Sequence, residues 1–178
     1  MKKLIATGAF ASLFWGILTS ILYKTLGSGV YLSLAITFLT TFYHFAMRIL
    51  VACIITVLRK NKAETDILSF RLNAFEKSFY KAIKLQNWKA YAPTFRKELF
   101  SLKKNPLQSI YHNMTNAEIS HGLIVPLSFL PLIFSKPLNG FVPFFITSVL
   151  AACFDLQFVF IQRFNKERLS KLIAKKSA

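Results

Sequence analysis

Acid is scarce in this sequence: seven Asp and Glu stand against 23 Lys and Arg, a formal net charge of +16. Cysteine is scarcer still, with two. Cys53 and Cys153 each lie in an apolar stretch, with no second Cys or His at ligand spacing. That pattern argues against a zinc site and against a disulfide framework, and no metal is expected. No internal repeat or low-complexity tract interrupts the chain. Residues 4–23 carry no charge at all, and residues 141–161 carry only Asp155. The outer halves of the apolar stretches offer only Thr, Ser and Tyr as polar groups, which argues against a channel or transporter with a continuous polar stripe.

Apolar residues are abundant instead. They make up 54% of the 178 residues, with 19 Phe. A soluble domain of this size has little use for so much apolar surface, because its outer faces must meet water. They also cluster. Four stretches, about 4–23, 30–58, 114–134 and 141–161, are each long enough to cross a hydrocarbon core of ~30 Å, which needs roughly 20 helical residues. Met1-Lys2-Lys3 before an apolar run resembles a signal peptide, but Trp15 and Tyr23 sit where a small-residue cleavage site would fall. The first stretch is therefore read as a retained helix. The expectation is an all-α, polytopic membrane protein forming a single membrane domain over residues 1–178.

Positive charge fixes an orientation. Lys and Arg number two before the first stretch, one in loop 24–29, twelve in segment 59–113, one in loop 135–140 and six in the tail from 163. Basic residues stay on the cytoplasmic side. Both termini and segment 59–113 are thus expected inside a cell membrane, with both short loops outside. The net charge then reflects attraction to anionic membrane lipids, and no nucleic-acid partner is expected. Within 66–85, Leu68, Leu72, Phe75, Phe79 and Ile83 recur every three or four residues, while Arg71, Lys77, Lys81 and Lys84 fall mostly elsewhere around the helix. This is a basic amphipathic helix, lying either in the membrane interface or against the protein's own cytoplasmic side. Trp88 suits the headgroup level, and Pro93 ends or redirects the chain.

Ionisable groups inside spans are expensive, so each needs a reason. His44 lies 14 residues after Val30, His121 lies 13 before Phe134, and Asp155 lies 14 after Phe141. At 1.5 Å per residue all three fall about 20 Å below the outer end. Arg48 is one turn from His44, and Glu118 one turn from His121. One reading is structural: Arg48 pairs with Glu118 or Asp155, and the histidines tie helices together. The other is catalytic: His121, oriented by Glu118 or Asp155, takes a proton from a hydroxyl that attacks an acyl carbonyl. Here His44 and Arg48 bind substrate. Glu118-x-x-His121 lacks the first histidine of the zincin H-E-x-x-H. In the tail, Gln162, Arg163, Asn165 and Arg168 are more specific groups than a membrane anchor requires, whereas Lys171, Lys175 and Lys176 need no other role.

Ala117-Glu118-Ile119-Ser120-His121, an apolar hairpin, then Ile161-Gln162-Arg163-Phe164-Asn165-x-x-Arg168-Leu169 resembles the membrane-bound glycosyl-4,4'-diaponeurosporenoate acyltransferases, with A-E-x-x-H before an I/V-Q-R-Y-N-R-P-R-L run. Phe75-Glu76-Lys77, Trp88-Lys89 and Phe95-Arg96-Lys97 are similar in texture. The chain departs from the pattern at Asp155 in place of Asn, at Gln157 in place of Pro, and at Lys166-Glu167 in place of Arg-Pro. The resemblance implies transfer of a fatty acyl group to a sugar hydroxyl of a glycosylated carotenoid. It implies an acyl donor such as acyl-CoA as co-substrate, a lipid-like acceptor and no further cofactor. Glu118, His121, Gln162, Arg163, Asn165 and Arg168 are the matching positions, with Arg163 and Arg168 expected to bind the anionic donor. The alternative is a non-catalytic membrane subunit or scaffold. Oligomeric state is left open.

Overall fold

The computed structural model describes residues 2–60, 64, 67–92 and 97–177. Asp66, Pro93, Phe95 and Arg96, which figured in the sequence reading, lie outside the described residues. Among the described residues six α-helices follow in order: α1 (Lys2–Leu26), α2 (Gly29–Leu58), α3 (Ala74–Ala82), α4 (Leu85–Trp88), α5 (Leu107–Leu127) and α6 (Phe141–Ser177). Short 3-10 turns occupy Lys89–Tyr91, Lys97–Phe100 and Leu130–Phe134, and there is no strand among the described residues. Four segments among the described residues are long and apolar enough to span a membrane: Ala6–Leu26, Gly29–Leu58, Leu107–Phe134 and Phe141–Lys176. The all-α membrane architecture expected from the sequence is therefore the one found.

Contacts divide the chain into two compact units. The first comprises Met1–Val51 and Leu123–Asp155. Its α1 and α2 form a hairpin through Gly27, whose φ of 68° is left-handed and whose N–H bonds the Tyr23 carbonyl at 2.9 Å. Glycine also lets the two helices approach, since a Cβ at Gly16 would lie 2.7 Å from a Leu39 methyl. Trp15 stacks on Phe38 at 6.4 Å. Phe10, Phe14, Ile17 and Ile21 face outward, more than half exposed, as suits lipid contact. Ser12, Thr19 and Thr40 are buried but donate to carbonyls of their own helix, which makes them tolerable in hydrocarbon.

The third apolar stretch is not one continuous helix over 114–134. Helix α5 starts earlier, at Leu107, just after Pro106, and stops at Leu127. A 3-10 turn with Pro131 at its start then completes the stretch. Proline has no N–H, so Pro131 cannot close a bond to the carbonyl four residues back. That carbonyl belongs to Leu127, and the Tyr43 hydroxyl donates to it instead at 2.9 Å.

The second unit comprises Ala52–Gly122 and Leu156–Ala178. Here the basic tail expected beyond 162 is instead the continuation of α6, which runs unbroken to Ser177. Nothing in 162–177 is Pro or Gly, and the segment has an apolar face to bury. Ile161 packs with Leu72, Tyr80 and Leu85, and Leu169 and Ile173 pack with Ile110 and Tyr111. The amphipathic helix expected over 66–85 is shortened to Ala74–Ala82. Asn73 caps it: its side chain accepts from the Glu76 N–H at 2.7 Å, and the Glu76 carboxylate accepts from the Asn73 N–H at 3.1 Å. Lys84, left-handed at φ 50°, ends it. Of the two placements the sequence allowed, Phe79 and Ile83 take the internal one against this core, while Leu68 and Phe75 stay exposed.

Tyr43→Phe would leave the Leu127 carbonyl unpaired in apolar surroundings. Thermal unfolding in detergent is expected to show a loss of about 1–3 kcal/mol; an unchanged melting temperature would contradict the capping role.

Candidate functional site

In the second unit, charge gathers where α3, α5 and α6 meet. Arg163 on α6 grips Glu76 of α3 with a fork: Nε donates to Oε1 at 2.5 Å and Nη2 to Oε2 at 3.2 Å. Its third arm, Nη1, donates to Glu118 Oε1 of α5 at 2.7 Å. The other Glu118 oxygen accepts from Lys166 Nζ at 3.0 Å. Arg163 and Lys166 are three apart on α6 and so share a face. Lys166 is only 3% exposed, and its ammonium sits 4.3 Å from the Phe70 ring centre and 5.0 Å from that of Tyr111. Two cations and two carboxylates make the cluster neutral, which is what allows it to be buried.

The surroundings tune the groups outside the spans. The Glu76 carboxyl is held below its ordinary range chiefly by the Arg163 hydrogen bonds; burial opposes them and the Asn73 N–H assists. Tyr80 donates to Glu76 at 3.4 Å, and burial, then the Glu76 charge, push its hydroxyl up to about 12. It stays protonated at physiological pH, as a donor to that carboxylate.

The remaining expected residues are placed as follows. His121 stacks on Phe158 with ring centres 4.8 Å apart. Gln162 holds a buried side-chain oxygen with no partner among the described residues. Asn165 accepts from Lys89 Nζ at 3.0 Å, and Arg168 is exposed. In the first unit, Arg48 pairs with Asp155 through Nη2 at 2.5 Å and Nε at 2.9 Å, and Nη2 also donates to the Ala151 carbonyl at 3.3 Å. Of the two partners the sequence allowed for Arg48, Asp155 is the one taken. Asp155 is fully buried. His44 is 4% exposed, and neither ring nitrogen has a hydrogen-bond partner among the described residues.

Sequence reasoning missed Glu76, Lys89 and Lys166 as members of the site. The spacing Asn73-x-x-Glu76 marks a helix start and could have flagged Glu76 as a fixed carboxylate. It also missed a ring of four side chains at the start of α5. Glu64 Oε1 lies 2.8 Å from His112 Nδ1 and 2.5 Å from Arg59 Nη2. Asn116 closes the ring, 2.8 Å from Arg59 Nε and 3.0 Å from His112 Nε2. His112 and Asn116, four apart on one helix, were the legible part of it.

Arg163→Met leaves Glu76 without its cation and Glu118 with Lys166 alone. A loss of about 2–3 kcal/mol is expected at neutral pH, below the ~3–5 kcal/mol of a fully buried pair because these groups keep some solvent. Since the folded-state pKa of Glu76 is depressed, its stabilisation is full above the ordinary carboxylate range of ~4.3 and fades as pH falls through the lower folded-state value. Melting curves from about pH 6 to about pH 3 should show this acid loss in wild type and a weaker one in Arg163→Met. Parallel acid profiles would contradict the assignment.

A family model for glycosyl-4,4'-diaponeurosporenoate acyltransferases matches residues 58–175, about two thirds of the chain. The match takes in Glu76, Lys89, Glu118, His121 and Arg163, and leaves out His44 and Arg48. None of the curated proteins and none of the solved structures compared with the chain matches it. The family suggested by the A-E-x-x-H and Q-R-F-N-x-x-R-L runs is the family that the match returns, and the chain belongs to the glycosyl-4,4'-diaponeurosporenoate acyltransferases.

Proposed function

We propose that this chain transfers a fatty acyl group to a hydroxyl of a glycosylated isoprenoid, or of another glycolipid, at the inner leaflet of a cell membrane. The observation that carries the reading is the family match over residues 58–175, which contains both motif runs. In the proposed step His121 takes the proton of the acceptor hydroxyl as its oxygen bonds to the acyl carbonyl carbon. The tetrahedral intermediate then expels the donor's leaving group, which recovers the proton from the imidazolium. Glu118, one turn from His121 on α5, serves as the orienting carboxylate, while Asp155, the other carboxylate the sequence offered, is engaged by Arg48 in the first unit. Glu118 already receives hydrogen bonds from Arg163 and Lys166, so its part is that of a positioning residue. Arg163 is engaged by two carboxylates, and binding of an anionic donor falls to other cations. Gln162 offers an acceptor oxygen, without a partner among the described residues, for a substrate hydroxyl. His44 and Arg48 lie in the first unit, outside the matched residues, and Arg48 is engaged by Asp155, so no part in this step is assigned to them.

A second reading is favoured by one observation: the Glu76–Arg163–Glu118–Lys166 cluster is complete and neutral without any ligand. A non-catalytic membrane subunit would use it only to fix helices. The two readings part on His121→Ala. Catalysis by a general base predicts a fall of about 10²–10⁴ in acyl transfer from labelled acyl-CoA to a glycolipid, at matched folded yield and unchanged melting temperature. Loss of stability with activity per folded molecule preserved would instead mark His121 as structural.

A further inference from the structure

Lys89 and Arg168 are two cations with no carboxylate partner among the described residues, and they lie on the same stretch of α6 and its packing partner as the paired Arg163 and Lys166. Lys89 is half-buried after α4. Its ammonium donates to Asn165 Oδ1 at 3.0 Å and lies 4.5 Å from the Phe164 ring centre. Arg168 follows Asn165 by three residues, so both project from one side of α6. Burial, then the charge of Arg168, push the Lys89 pKa down, as befits a cation held near another without a counter-charge. Gln162, three residues before Asn165, extends the same stripe.

Phe164 also forms one wall of a cleft of about 280 Å³ edged by Lys77, Lys81, Lys84, Gln86 and Asn87. Glu167 is the only carboxylate on its rim among the described residues, and it already faces Lys77 at 3.6 Å and Lys171 at 3.4 Å. Stripe and cleft together form a region of excess positive charge beside the acid-paired cluster. Lysine supplies a compact charge and arginine a planar fork, and both suit a phosphate.

We propose that Lys89 and Arg168, braced by Asn165, seat a phosphate group of the acyl donor, with the lysine-edged cleft beyond Phe164 taking the rest of its polar head. This rests on the acyltransferase reading for the word donor, while the anion seat rests on the residues themselves. The phosphate can come from a water-soluble thioester carrier or from a phospholipid headgroup.

The test measures binding of coenzyme A to purified protein in maltoside detergent free of phospholipid. Lys89→Gln, Arg168→Gln and their double variant are compared with Lys103→Gln/Lys104→Gln, which removes equal charge elsewhere. Loss of a charge-assisted contact should weaken binding about tenfold in each single variant and further in the double, with the control within about twofold of wild type. Arg168 is exposed, so its variant keeps the test free of folding effects. Short-chain phosphatidylglycerol as competitor separates the sources: displacement of coenzyme A at comparable concentration points to a lipid phosphate, and persistence to the soluble carrier. Acyl transfer is then measured on the same proteins. If wild type transfers nothing while coenzyme A binding still follows Lys89 and Arg168, the acyltransferase reading fails and the seat stands. Absent binding, equal loss in the control, or no loss in the Lys89 and Arg168 variants overturns the seat.

Discussion

A guanidinium held between two carboxylates organises the second unit of this chain. Arg163 binds Glu76 from one side and Glu118 from another, and Lys166 completes the count so that the group is neutral. Taking four charges out of water is costly, and geometry of this quality with full pairing is what makes it tolerable. The two carboxylates sit on different helices, so the ion cluster fixes α3 and the middle of α5 against the second half of α6. Tyr80 and the core around Leu72, Leu85 and Ile161 then fill the space between α3 and α6.

The family's motif residues divide into two kinds when their contacts are compared. Glu118 and Arg163 are spent on each other and on Glu76. Lys166, standing where the family pattern has Arg, keeps the positive charge that the second Glu118 oxygen needs. The departure is therefore conservative at this contact. Gln162, Asn165 and Arg168 are different: an unpartnered oxygen, an amide holding a lysine, and an exposed guanidinium. They form the face of α6 with capacity left for a ligand.

Much of the fold was legible because hydrophobic run length is a one-dimensional property. The first two spans and the start of α6 follow directly from long apolar stretches that carry at most one charge each. The end of α6 did not, because a run of Lys, Arg and Asn reads as a tail when nothing reveals that Ile161, Leu169 and Ile173 are covered. The amphipathic pattern of 66–85 gave the packed face but not the helix ends, which the Asn73 cap and the left-handed Lys84 set. The site was legible in its α5 and α6 residues and illegible in its pairing. Arg163 and Glu76 are 87 residues apart, and the depth estimate, which ranks levels along a span, carries no information about a partner from a helix outside the spans. It also could not choose between Glu118 and Asp155 for Arg48.

The central claim is that Arg163 and Glu76 act as one unit. A double-mutant cycle of Glu76→Gln, Arg163→Met and the double variant, followed by thermal unfolding in detergent, measures it most directly. Strong coupling is expected, about 1–3 kcal/mol, with the double variant losing much less than the sum of the singles. Additive losses within about 0.5 kcal/mol would show instead that the two residues stabilise the protein independently.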